Sequence, residues 1–269
     1  MEKKLILDVH EKPKAAHWIA LSIQHVLAMF GSTVLVPMLT GLPVSLALVS
    51  SGIGTLFYLF VTKGKSPVYL GSSFAYIAPI TSALALGATL NADGGIASNP
   101  NYGAVMGGLM MVGLVYLVIA LIIKFIGTDW LNKVLPPVVI GPTIMVIGLS
   151  LAGTAVNMAS EHVVVALITL LTAVIVSTYT KGLLQLLPIF SGIVVGYISA
   201  VVFQLVDFSA VNEASLFAMP AFMAPKFDIT AIIIIVPASL TVISEHISHQ
   251  IVTSQIVGRD LVKDPGLHR

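Results

Sequence analysis

About eight runs of some 20 mostly apolar residues divide the chain, near 16–38, 43–62, 68–89, 103–126, 134–153, 162–180, 183–206 and 229–254. A helix of about 20 residues rises about 30 Å, the thickness of the hydrocarbon core of a bilayer. A water-soluble fold could not absorb eight such runs. Only 9% of the residues are charged, 57% are hydrophobic, and the mean hydropathy is +1.01. Soluble domains carry about 25% charged residues, enough to cover their surface. The chain therefore reads as an all-α membrane protein. The breaks between runs are polar or rich in Pro and Gly: Thr40–Pro43, Lys63–Pro67, Asn91–Tyr102, Gly127–Asp129, Lys181–Gly182 and Asp207–Asp228.

The basic residues test this map independently. Twelve of the thirteen fall on the N-terminal side of the membrane: Lys3, Lys4, Lys12, Lys14, Lys63, Lys65, Lys124, Lys133, Lys181, Arg259, Lys263 and Arg269. Only Lys226 falls on the other side. Lys and Arg accumulate in cytoplasmic loops, so the N-terminus is expected in the cytoplasm. A wrong span count would scramble this partition. Residues 1–14 are polar and lack the short apolar core of a cleaved signal, so the first span is expected to act as its own insertion signal. There is no cysteine, hence no disulfide framework and no thiolate metal site.

Pro37, Pro79, Pro142 and Pro237 fall within runs and predict kinks or breaks, because proline removes a backbone donor. Gly103, Gly107 and Gly113 predict a close-packed helix face.

Eleven of the twelve acidic residues lie in loops or at span edges: Glu2, Asp8, Glu11, Asp93, Asp129, Glu161, Asp207, Glu213, Asp228, Asp260 and Asp264. Glu245 alone lies deep within a run. A carboxylate at mid-bilayer costs about 2.5–3.5 kcal/mol to insert, which marks it as functional. His249 follows by four residues and shares its helix face. An acid and an imidazole one turn apart can hold or pass a proton near neutral pH. The His246–His249 spacing, with the Glu before both, does not match the metalloprotease helix, so no metal site is expected.

Two further places draw attention. Ser22-Ile23-Gln24-His25 in the first run resembles Ile243-Ser244-Glu245-His246 in the eighth. An offset of seven spans inverts the second copy, the pattern of inverted repeats with a site at midplane. The third run opens with Pro67-Val68-Tyr69-Leu70-Gly71-Ser72-Ser73-Phe74-Ala75-Tyr76, whose first half is poor in helix formers. It reads either as one kinked helix or as an extended stretch followed by a helix capped by Ser72 or Ser73. A helix starting at mid-membrane exposes free N–H groups to a ligand oxygen.

Gln24-His25, Gly71-Ser72-Ser73-Phe74-Ala75 and Ser244-Glu245-His246-xx-His249 resemble the nucleobase–ascorbate transporter family. Met29-Phe30-Gly31, Val34–Pro37, Gly52–Leu56 and Asp264–Arg269 resemble its bacterial uracil permease branch, and the likeness runs along essentially the whole chain. The resemblance implies a fold of two inverted repeats of seven spans. Spans one to four and part of the second repeat would form a core domain, and the rest a gate. It thus implies core residues 1–130, gate residues 131–228 and a further core span at 229–269, with the third span broken by a short strand. It implies no enzyme but a secondary transporter in the bacterial inner membrane, importing uracil or a related nucleobase with H+ as coupling ion. No cofactor, metal or nucleic acid is implied, and a homodimer is. Glu245 would accept from a pyrimidine N–H, the Phe74 N–H would donate to a base carbonyl, and His249 would act beside them. His25, Gln24, Ser73 and Tyr76 would support the site. Against that pattern the chain stops after the eighth span, so it is expected to be a truncation. A xanthine or purine permease, an intramembrane enzyme and a non-transporting fragment are the alternatives.

Overall fold

The computed structural model describes residues 11–90, 96–98, 100–127, 130, 137–181, 184–209, 211 and 219–269. Lys3, Lys4, Lys133, Glu2, Asp8, Asp93, Asp129 and Glu213 lie outside the described residues.

The chain is overwhelmingly helical. The helices are α1 (Ala15–Thr40), α2 (Val44–Val61), a 3-10 turn (Phe74–Tyr76) running into α3 (Ile77–Leu84), and α4 (Tyr102–Ile126). There follow α5 (Pro137–Ser150), α6 (Ala152–Glu161), α7 (Val163–Tyr179), α8 (Pro188–Val202), α9 (Ile229–Ile235) and α10 (Ala238–Val257). Two short strands, β1 (Thr89–Leu90) and β2 (Ile96–Ser98), pair antiparallel between α3 and α4. Among the described residues, Val44–Val61, Tyr102–Ile126 and Ile229–Val257 are long and apolar enough to cross a membrane. Met29–Thr40, Phe74–Leu84, Val163–Tyr179 and Pro188–Val202 are shorter apolar helices.

The expected prolines act in three ways. Pro37 and Pro142 lie inside α1 and α5. Pro79 sits in the first turn of α3, where its missing N–H is not needed. Pro237 separates α9 from α10, so the eighth run is two helices. The fifth run also divides, at Leu151, where no proline marks the break.

Two compact units arise. The first comprises residues 1–13, 32–147 and 220–269, the second residues 14–31 and 148–219. In the first, α3, α4 and α9 share a core of Tyr76, Ile80, Ala83, Leu84, Ala104, Val105, Val112, Ala231 and Ile235. A second cluster joins Ile123 of α4 to Ile243 and Ile247 of α10. Side-chain caps set the helix starts: Asn101 Oδ1 accepts from the Ala104 N–H (3.2 Å) and Asp228 Oδ1 from that of Ala231 (3.0 Å). Close packing falls where two of the three expected glycines are. A Cβ on Gly107 would stand 2.1 Å from the Lys226 carbonyl, whereas one on Gly113 would meet nothing within 4 Å. In the second unit α7 packs on α8, and a Cβ on Gly196 would lie 2.2 Å from Thr169 Oγ1. Small residues let apolar helices approach this closely without a hydrophobic driving force between them.

Candidate functional site

Residues 67–73 are not helical, so of the two readings of the third run the extended stretch followed by a helix is the one observed. The expected strand does not form there: among the described residues only β1 and β2 pair. The exposed backbone is satisfied by side chains of α2 instead. The Leu70 N–H donates to Thr55 Oγ1 (3.0 Å), and Ser51 Oγ donates to the Leu70 carbonyl. Ser51 also shares a 2.8 Å hydrogen bond with Tyr69 Oη. Ser51 and Thr55 are one turn apart on a single face of α2, so one helix supplies partners for both backbone groups of one residue. An unpaired group there would cost several kcal/mol in a lipid environment, roughly the desolvation of an amide. Gly71 lets this stretch pass α1, since a Cβ there would stand 3.3 Å from Thr33 Oγ1.

Ser73 ends the break. Its φ and ψ of −94° and 132° are extended, and its Oγ accepts from the Ala75 N–H at 3.3 Å, which caps the helix that starts at Phe74. The same hydroxyl donates to Glu245 Oε2 on α10, also at 3.3 Å. A hydroxyl has one proton to give and room to accept, so Ser73 serves both partners at once. Glu245 and Phe74 are half-buried. Phe74 opens the helical segment, where a backbone N–H has no acceptor one turn earlier.

His249 stands one turn past Glu245 and is exposed. The buried face of the same helix carries His246, whose ring stands edge-on to Tyr58 and to Tyr116, with centroids 6.5 Å apart in both cases. Tyr76 is buried, and its Oη has no hydrogen-bond partner among the described residues. It lines a cavity of about 670 Å³, together with Ser72, Ser73 and Tyr116. That is the size of a small-molecule pocket, and its walls are mainly apolar. Glu245 does not line it. His25 lies in α1, exposed, in the stretch that belongs to the second compact unit. Gln24 is in the same helix, and its side chain is outside what the structure describes.

Sequence reasoning missed Ser51, Thr55, Tyr58, Ser66 and Gln250. A signal for three of them was present. Ser51, Thr55 and Tyr58 recur at i, i+4 and i+7, a polar stripe on a mainly apolar helix whose other hydroxyl residues are Ser45 and Ser50.

Apolar helices of membrane length, a broken run and a carboxylate held at the break mark a multi-pass membrane protein. The particular family follows from comparison: the chain belongs to the Permease family, that of the nucleobase–ascorbate transporters, whose pattern matches residues 16–269. It is 47% identical to the uracil permease of Bacillus caldolyticus over 99% of its own length and 62% of that protein's. For the uracil permease of Bacillus subtilis the figures are 45%, 100% and 63%. For the uracil permease of Escherichia coli strain K12 they are 40%, 98% and 61%. The chain thus spans a little over three fifths of the length of these relatives.

Proposed function

We propose that this chain is the greater part of a carrier that imports uracil with protons across the bacterial inner membrane. The observation that carries the reading is the meeting of Ser73 and Glu245 at the broken third run. It places an acceptor carboxylate beside a helix start, one turn before an imidazole. Uracil offers both complementary edges. Its N–H would donate to Glu245, and its carbonyl oxygen would accept from the Phe74 N–H. His249 would act beside Glu245, with Ser73 and Tyr76 as near supports. The names of the relatives favour uracil over a purine.

In this reading the chain crosses the bilayer eight times from a cytoplasmic N-terminus. Residues 1–130 and 229–269 belong to a core domain and residues 131–228 to a gate. The eighth span opens the second of two inverted repeats, and the working carrier is a homodimer. The skew of basic residues supports the orientation. Uracil is neutral at pH 7, so uphill import needs a coupled ion. One proton moving inward supplies about 2.3 kcal/mol per 100 mV. That is enough for a roughly fiftyfold gradient.

The test places this segment in the full-length Bacillus caldolyticus permease in place of the matching one, in cells that lack uracil uptake. Saturable uptake of labelled uracil, abolished by a protonophore and competed by thymine better than by xanthine, is expected. Uptake that follows a sodium gradient overturns the coupling ion. Stronger competition by xanthine overturns the substrate.

A further inference from the structure

Three polar side chains from distant parts of the first unit form a closed ring. Tyr58 Oη on α2 donates to Ser66 Oγ at 2.9 Å. Ser66 Oγ donates to Gln250 Oε1 on α10 at 3.2 Å. Gln250 Nε2 donates back to Tyr58 Oη at 2.9 Å. Each hydroxyl gives one proton and accepts one, and the Gln250 amide closes the ring through its oxygen and one of its two N–H groups. Ser66 is 1% exposed and Gln250 5%. Buried polar groups are costly to leave unmatched, so such a ring favours one arrangement of its three backbones.

The ring is tied to the site from two sides. Ser66 begins the chain stretch that ends at Ser73, the partner of Glu245. Gln250 follows Glu245 by five residues, which places it about 140° further round the helix. It therefore holds α10 by a different flank from the one that meets Ser73. The Tyr58 ring also stands edge-on to His246, the residue after Glu245. Rotation of α10 about its axis would break the ring and the Ser73–Glu245 hydrogen bond together.

We infer that Tyr58, Ser66 and Gln250 are positioning residues. They fix the rotation of α10 and the placement of the broken run, and so set substrate affinity without touching substrate. The inference rests on the uracil site proposed above and deepens it.

Two readouts separate its failure from the failure of that reading. The first is uracil uptake by the full-length chimera. Tyr58→Phe and Ser66→Ala, each checked for expression and a monodisperse elution profile, are expected to raise KM about tenfold, the effect of a buried polar group left unpartnered. The maximal rate should change far less. The second readout needs no substrate. This chain holds no cysteine, so with any native cysteines of the host segments replaced, Ser73→Cys with Glu245→Cys can be joined by a short bis-methanethiosulfonate reagent. Adding Tyr58→Phe or Ser66→Ala is expected to cut that yield severalfold. Unchanged yield in both variants overturns the proposal, whatever happens to KM. Unchanged KM with reduced yield overturns the link to affinity. If the unmutated chimera takes up no uracil, the transport reading fails, and the cross-linking alone decides whether the ring positions the two elements.

Discussion

The Ser73 hydroxyl donates to the Glu245 carboxylate at 3.3 Å, joining residues 172 positions apart in the chain. This is the one direct side-chain bond between the broken third run and the carboxylate of α10 among the described residues. Its geometry gives the first expected outcome. Glu245→Gln keeps an acceptor for Ser73 but loses the charge that would bind a pyrimidine N–H. A hydrogen bond to a charged group contributes about 1.5–3 kcal/mol. Uracil affinity should fall about 10- to 100-fold, with near-normal expression, in a direct binding titration. Unaltered affinity would remove Glu245 from the site.

Ser73 has two duties, and substitution should separate them. Ser73→Ala removes a helix cap, worth about 0.5–2 kcal/mol, and the donor to Glu245. Ser73→Thr retains both. The alanine variant is expected to lose thermal stability and uracil affinity together, measured by dye-monitored unfolding in detergent and by uptake. The threonine variant should keep most of each. Equal loss in both would show that shape, not the hydroxyl, matters at this position.

Both backbone groups of Leu70 depend on α2 for their bonds. Ser51→Ala and Thr55→Val each orphan one backbone group. Each is expected to destabilise the fold by about 1–3 kcal/mol. Amide hydrogen exchange should rise in residues 67–73 before it rises in α2. Unchanged exchange there would mean that another group satisfies Leu70.

Gly107 and Gly113 lie on one helix with opposite surroundings. Gly107→Ala would drive a methyl group to 2.1 Å from the Lys226 carbonyl, so the loop before α9 must move. Gly113→Ala meets open space and gains helix propensity. The first should lower the unfolding temperature by several degrees, the second should leave it equal or higher. The reverse order would contradict the packing of α4 described above.

At the basic face, Lys65 Nζ donates to Asp264 Oδ1 at 2.5 Å and Oδ2 at 2.6 Å. That hydrogen bond, with the charges of Lys65, Arg269 and Lys63, holds the Asp264 carboxyl below its usual range. A group with a lowered folded value contributes stability above its unfolded pKa and loses it as pH falls through the folded one. The difference in unfolding temperature between parent and Lys65→Met should therefore be present at pH 7 and close on acidification below the ordinary value of 3.8. Both side chains are partly or largely exposed, so the difference should be small and shrink with salt. A gap that persists in strong acid would assign the effect of Lys65 to something other than Asp264.

The helices were legible where length and hydropathy alone decide. The runs at 43–62 and 103–126 match α2 and α4 to within two residues. Glu245 stood out because every other acid avoided the apolar runs. The break at 67–73 and its cap were one of two readings open in the sequence, suggested by Pro67, Val68, Tyr69 and Gly71 and by the serines before the next helical stretch. The stripe Ser51–Thr55–Tyr58 is visible as a pattern, but what it bonds is not, for a physical reason. Hydroxyl residues in apolar helices usually bond their own backbone one turn back, as Thr62 does to the Tyr58 carbonyl and Thr169 to that of Val165. A serine or threonine in such a helix therefore looks the same in sequence whether it serves itself or another segment. Gln250 was hidden similarly, since its partners lie 184 and 192 positions away. The split at Leu151 falls among Gly148, Ser150 and Gly153, weak helix formers that recur throughout this chain, and no proline or charge marks it.

The splint on Leu70 also bears on how such a chain is made. Thr55 and Leu70 are 15 residues apart, so the ribosome delivers both almost together. The irregular stretch can find its bonding partners as soon as the second and third segments have left the translocon. Glu245 lies 172 positions beyond Ser73 and emerges much later. The bend and its serine are thus made well before the acid that meets them.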